Sequence, residues 1–542
     1  METPASPQPQ NASRALIAAL LIGFSVDFLF YSKPLGLSFP LFVAFSASLL
    51  LLLAVLERAW PALSSLWLSI PIGAFAALVY VRAEPLTTFV NVAMTLALGV
   101  LWARTFYHGQ LFRFGLLDYA VNFLLAGIDG VLFPPSIILA AGKEATAQGG
   151  SRRLVLPVLR GLLLALPVVL LFAALLGAAD LVFADRLRDL LEALNLDNIP
   201  ELIWRSGLII VMAFGALGLM AQALWPASRY SPIGAGKSLV PHFLGLIESS
   251  IVLGSINLLF AAFVVIQFRY LFGNTANISE AGYTYSEYAR RGFGELVIVV
   301  AITLLILLAL STVTRREGRT GMGLFNLLSV IAVGLVGVMV VSALQRLLLY
   351  EAIYGFTRLR TYSHVAIVWL GILFVPYLIA LLAGRLRWFA PGALLVVIGF
   401  AATLNALNVD RFIARQNIHY YRQIGQLHTA YLVTLSDDVL PELVPLLQGG
   451  DPEVVAVLGP GLACRAAQLR GGYAKTGWQS TQLAHQSALE MLNAEPSLVR
   501  WAVYKSGEFP YEDFVYVKGE RITCNSLLAS FVLEPGLTRE YR

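Results

Sequence analysis

From Ala15 to Leu407 the sequence repeats one pattern: a run of roughly twenty apolar residues, then a short polar break. Where no water reaches such a run, its amides and carbonyls must bond within the segment, so each run becomes an α-helix that crosses a bilayer. The runs fall at 15–31, 37–56, 62–81, 86–103, 155–178, 203–225, 242–268, 293–313, 322–348, 363–384 and 388–406. Only 13% of the chain is charged, about half the share found in soluble domains. The sequence therefore specifies an all-α polytopic integral membrane protein with about 11–12 transmembrane helices. The first run is a retained span and not a signal peptide, because Lys33 and Pro34 follow it where small residues would mark a cleavage site.

One further stretch, Leu117 to Ala141, is apolar enough to cross but carries Asp118, Asp129, Pro134 and Pro135. Proline removes an amide donor and kinks a helix. This stretch is expected to be re-entrant or interfacial. After Leu407 the runs stop, and residues 408–542 read as a small, mostly helical C-terminal extramembrane domain. Ser436 is an N-cap candidate with Asp437 and Asp438 in the following first turn, and Asp451-Pro452 opens another helix. Residues 15–407 form the transmembrane domain, and residues 1–14 a disordered tail rich in Pro, Gln and Ser.

Charge divides with the architecture. Residues 1–409 hold 26 Lys and Arg against 19 Asp and Glu, whereas residues 410–542 hold 12 against 14. The basic excess thus flanks membrane spans, as topology control and contact with anionic lipid require. A slightly acidic tail gives no footing for nucleic acid. With eleven spans and the N-terminus inside, fourteen loop Lys and Arg lie inside and eleven outside. The expectation is a multi-pass plasma-membrane protein with a cytoplasmic N-terminus and an extracytoplasmic C-terminal domain. The segment 179–202, with six acids and regularly spaced leucines, would then lie along the outer surface as an amphipathic helix. Cys464 and Cys524 both lie in that domain. An oxidising compartment would allow a disulfide worth roughly 3–4 kcal/mol; two separate buried thiols are the alternative.

The stretch YTYSEYARRGFGEL, from Tyr283 to Leu296, sets many charges at one helix entrance. Thr284 and Glu287 form a capping box. Glu287, Arg291 and Glu295 recur every four residues on one face, where each neighbouring pair can form a salt bridge. Farther along, Arg346, Glu351, Arg358 and Arg360 make a second interfacial cluster on the same side. With Arg290 and Arg291, these arginines could form a basic outer pocket for an anionic lipid headgroup or an envelope glycan phosphate.

YTYSEYARRGFGEL and RLLLYEAIYGFTRLR (Arg346 to Arg360), together with VLRGLLLALP (Val158 to Pro167) and NVDRFIARQNI (Asn408 to Ile418), resemble the motifs of domain of unknown function 4173, a family of uncharacterised bacterial membrane proteins. The resemblance covers about 150–450. It implies a multi-span membrane protein with a C-terminal extramembrane part, and no reaction.

Ionisable groups inside spans are the default functional suspects. Glu248 stands six residues into the 242–268 run with His242 near its start, and could be a protonatable or cation-binding carboxylate; pairing with an arginine of another helix is the alternative. Asp27, with Lys33 six residues on, is close enough to a helix end to snorkel. Two cysteines and six scattered histidines show no zinc spacing, and nucleotide-binding or serine-hydrolase motifs are lacking. No cofactor or metal is expected. The reading is a non-enzymatic envelope protein, a sensor or assembly factor whose C-terminal domain binds a protein partner. Its alternatives are a proton- or ion-coupled transporter using Glu248 and a lipid-carrier-dependent glycosyltransferase. The latter would need acids in an outer loop, and the first such loop, SKPLGLS, has none.

Overall fold

The computed structural model describes residues 11–147, 176, 199–225, 242–271, 293–315, 319–475, 477–505, 512–517 and 519–529. Among them, eleven helices are long and apolar enough to cross a membrane. They belong to α1 (Ala12–Phe30), α2 (Ser38–Leu56), α3 (Leu63–Val81), α4 (Pro85–Thr105), α5 (Leu116–Ala147), α6 (Ile199–Leu224), α7 (Leu246–Leu271), α8 (Phe293–Val313), α9 (Arg319–Tyr354), α10 (Arg358–Leu382) and α11 (Leu386–Leu407). Residue 176 apart, the expected span 155–178 lies outside the described residues, as do residues 179–198 of the outer segment and the capping box at 284–287.

Two apolar cores hold the helices together. One joins α1 to α4 with Met220 and Leu224 of α6; the other joins α7 to α11 through Val300, Val336, Tyr377 and their neighbours. Close approach of α1 and α6 depends on Gly23, where a Cβ would run into the Ile209 carbonyl.

The C-terminal domain covers one end of the bundle. The Leu37 amide donates to the Thr481 carbonyl at 2.9 Å, Ala83 donates to Asp438 at 2.9 Å, and Phe28 meets Trp478. At the opposite, far end, Ala62 donates to Phe106 at 2.8 Å and Arg315 to Leu244 at 2.9 Å. Lys33, Arg82, Arg205, Arg346 and Arg358 lie toward the domain end, whereas Arg58, Arg104, Arg113 and Arg315 lie at the far end.

Ten of the eleven helices run from end to end. The exception is α5. It starts at the far end, where Asn122 and Asp129 take Arg104 at 3.2 and 2.5 Å. It also finishes there, with Glu144 accepting the Ala12 and Ser13 amides at 2.9 and 3.1 Å. Between these points Gly130 lies against Gly218, the Ala126 carbonyl accepts from Gln222, and Ile137 and Ala141 pack with Ala12, Ala15 and Leu217. Its outward stripe is apolar and exposed: Leu117, Leu124, Val131, Leu132 and Leu139. Length and hydropathy alone would make α5 a crossing helix, but its contacts lay it across the bundle end. Residue 147 therefore lies at the far end and residue 199 at the domain end.

Asn408, left-handed at φ 50°, turns α11 into α12 (Val409–Ile424). Then come α13 (Thr429–Val433), α14 (Leu440–Gly449), α15 (Pro452–Lys475) and α16 (Leu483–Ala494). Their core continues into the bundle, since Val365 and Leu404 pack in one cluster with Ile413, Leu440 and Leu462. A small antiparallel sheet follows, β1 (Tyr504–Lys505), β2 (Asp513–Val517) and β3 (Glu520–Thr523), with register Val515 to Ile522. Buried Val515 covers a disulfide between Cys464 and Cys524, whose Cα atoms are 5.3 Å apart.

Candidate functional site

A cluster of buried carboxylates and their arginines gathers where the domain meets the helix ends. Glu84 precedes Pro85 and caps α4, accepting the Leu86 and Thr87 amides at 3.2 and 2.5 Å. The same carboxylate lies 3.8 Å from Arg358 at the start of α10. Arg358 in turn grips Asp410 of α12 with two parallel bonds, Nε to Oδ1 at 2.8 Å and Nη2 to Oδ2 at 2.6 Å. This fork geometry is the strongest form of a guanidinium–carboxylate bond. Asp410 is fully buried and also accepts the Ser436 amide at 2.7 Å. The Arg358 amide donates to the Tyr431 hydroxyl at 2.8 Å.

A second arm runs beside it. Arg82 lies 3.6 Å from Asp438 and donates to the Asn405 carbonyl at 2.7 Å. Asp438 also accepts the Ala83 amide at 2.9 Å and the Asn408 side chain at 3.3 Å. Below them Asn91 and Asn405 bond reciprocally at 2.9 and 2.7 Å, locking α4 to α11. Burial pushes the Asp438 carboxyl above its ordinary range, although Ala83 and Arg82 favour its ionised form.

The third arm lies wholly in the domain. Arg465 of α15 is buried, donates to the carbonyls of Val433, Leu435 and Ser436, and lies 3.4 Å from Asp437. Burial draws its guanidinium below the usual range. The imidazole of His485, on α16, meets the other Asp437 oxygen. On the outer face Arg411 and Arg415 of α12 share Glu442, both at 2.9 Å.

Of the candidate site residues proposed from sequence, Arg358 alone enters this joint. Glu351 is buried on α9 with His364 Nδ1 at 3.5 Å, and Arg346 is buried on the same helix. Arg360 folds over the Tyr350 ring at 4.3 Å and donates to the Tyr354 and Gly355 carbonyls. Arg358 and Arg360 are thus held by protein groups, each on a different set. Glu287, Arg290 and Arg291 lie outside the described residues, and Glu295 is exposed in the first turn of α8. Glu248 is also exposed, in the first turn of α7, with its carboxylate folded against Gly245. The apolar run begins at 242, but the helix begins only at Leu246, so the carboxylate sits in the first turn of the span and not six residues into it. His242 is exposed before that start, its carbonyl taking Arg315. Asp27 pairs with Arg205 at 2.9 and 2.7 Å, and Lys33 instead lies over the Phe28 ring.

Sequence reading gave no site role to Arg82, Glu84, Asp410, Arg465 or His485, and placed Asp437 and Asp438 only in the first turn of a helix. One signal was present: two of the resembling stretches, RLLLYEAIYGFTRLR and NVDRFIARQNI, contain the two halves of the Arg358–Asp410 fork. The same stretches are joined again where Asn417 bonds both the amide and the carbonyl of Phe356, at 2.7 and 2.9 Å.

Among the described residues no group of three His, Cys, Asp or Glu is placed to hold a metal ion. No curated protein matches the chain, and no solved structure matches it. A family model does, and it is the domain of unknown function numbered 4153, not 4173 as the motifs suggested. Its window takes in Arg82, Glu84, Arg358, Asp410 and Asp438. Matching residues 69–446, which is most of the chain, it shows that this membrane protein belongs to the DUF4153 family.

Proposed function

We propose that the chain is a non-enzymatic protein of the cell envelope whose C-terminal domain is coupled to its membrane helices, so that a partner or condition met by the domain is passed to the bundle. One observation carries this reading. The domain's buried carboxylates are joined by ion pairs to two places on the bundle, the α3–α4 turn through Arg82–Asp438 and the start of α10 through Arg358–Asp410, besides the chain itself at the end of α11. A domain tethered by one flexible linker could rotate freely. A domain held at these further points has to shift the helix ends when it moves. The domain is assigned to the extracytoplasmic side. A disulfide in the domain favours an oxidising compartment, and the sequence loop count points the same way. The exposed position of Glu248 gives no support to transport through that residue.

Arg358→Ala tests the coupling in the full chain held in lipid nanodiscs. Losing one partner of a buried pair costs about 3–5 kcal/mol, because Asp410 stays buried and uncompensated. Hydrogen exchange is expected to rise together at 436–440 in the domain and at 83–88 at the start of α4. Arg358→Lys, which keeps the charge without the fork, is expected to recover part of the protection. Faster exchange in the domain with unchanged helix ends would refute the coupling.

A further inference from the structure

The joint is short of positive charge. Four carboxylates face one another in it: Glu84 from the α3–α4 loop, Asp410 from α12, and Asp437 and Asp438 from the domain. Three guanidiniums answer them, Arg82, Arg358 and Arg465. The other facing groups are neutral: Thr87 and Asn91 of α4, Tyr362 of α10, Asn405 of α11, Asn408, Tyr431 and Ser436. Arg360 is held by the Tyr354 and Gly355 carbonyls, and Arg411 and Arg415 turn outward to Glu442. Among the described residues His485 also enters the joint, on Asp437 and a third exposed.

The four acids are not equally provided for. Glu84 has a helix N-terminus, Asp410 a two-bonded arginine, and Asp437 both Arg465 and His485. Among the described residues Asp438 has one cation, Arg82, at 3.6 Å and partly solvated, and not bonded to it as Arg358 is to Asp410. The Ala83 amide and the Asn408 side chain add neutral donors, and its own side chain is 4% exposed. A carboxylate so enclosed is costly to leave charged.

We propose that the joint binds one proton, on Asp438, and that this proton tightens the domain on the helix ends. The proposal rests on the coupling reading for its consequence, and on the geometry of Asp438 for the site. Neutral Asp438 still accepts the Ala83 amide, while the repulsion from Asp410 is relieved. The raised carboxyl pKa gives the direction. A group whose folded pKa lies above its unfolded value stabilises the folded state at low pH, and that contribution is lost as pH rises through the folded value.

Melting of the full chain in nanodiscs from about pH 8 down to the ordinary aspartate value of 3.8 would read the site. The wild-type chain should melt higher as pH falls, and Asp438→Asn should hold the high value across the range. Should that variant fold poorly, Arg82→Gln reads the same site, since removing the cation should move the midpoint of the rise upward by about one pH unit. His485→Asn should keep the rise, separating Asp438 from the imidazole. An Asp438→Asn variant that keeps the slope, an Arg82→Gln variant with an unmoved midpoint, or a slope abolished by His485→Asn would each overturn the assignment. If Asp438→Asn removes the slope while exchange at 83–88 stays constant with pH, the proton site stands and the coupling reading fails.

Discussion

Asp437 and Asp438 illustrate how far a single residue can be read from sequence. Two acids after a serine suggest the exposed first turn of a helix, and local chemistry favours that reading. In the structure Ser436 makes no side-chain cap, a short 3-10 turn takes Asp437–Val439, and both carboxylates are buried against arginines from other segments. Their partners lie 28 and 356 positions away, so no local pattern announces them. Glu442, five residues on, is a contrasting case. Burial raises its carboxyl, but the hydrogen bonds and charges of Arg415 and Arg411 outweigh that, and it lies below its ordinary range. Its stabilising effect is therefore present above the unfolded value of 4.5 and is lost as pH falls through the lower, folded one. Glu442→Gln should cost about 0.5–1 kcal/mol at neutral pH, and the gap from wild type should close in acid. Denaturant unfolding at two pH values checks this, and a gap that persists in acid would count against the pairing.

At the scale of elements, the apolar runs were legible because a span has a fixed length and a forbidden composition. Ten helices appear within a few residues of those runs. What a run cannot report is where its two ends go. In α5 the warning was Asp118, Asp129 and the two prolines, and the structure gives each acid a far-end partner: Asp118 accepts the Gly115 amide and Asp129 takes Arg104. The sheet at 504–523 went unread because strands of two to five residues leave no countable alternation. The placement of α5 is directly testable. Single cysteines replacing Arg113, just before the helix, and Lys143, near its end, should react with an impermeant thiol reagent from the same side of the membrane. Reaction from opposite sides would make α5 a crossing helix.

For the whole molecule, the contacts at Leu37 and Ala83 put the C-terminal domain opposite the start of α1. With the disulfide-bearing domain outside, reporters fused after Leu407 should be active only in the extracytoplasmic form. Cytoplasmic activity would reverse the orientation and remove the oxidising environment assumed for Cys464 and Cys524. The joint also bears on how the protein is made. Ala83 and Asp438 are 355 residues apart in the chain. At about 5–20 residues per second of synthesis, roughly 20–70 s separate the emergence of the first from that of the second. Throughout that interval Arg82 and Glu84 stand at a finished helix end with no domain to cover them. A nascent chain halted before Asp410 would keep those charges, and later Arg358, open to solvent and to other proteins. Synthesis of the segment that carries Asp410 and Asp438 is what hides them, so the joint distinguishes a chain extended past that segment from one interrupted before it.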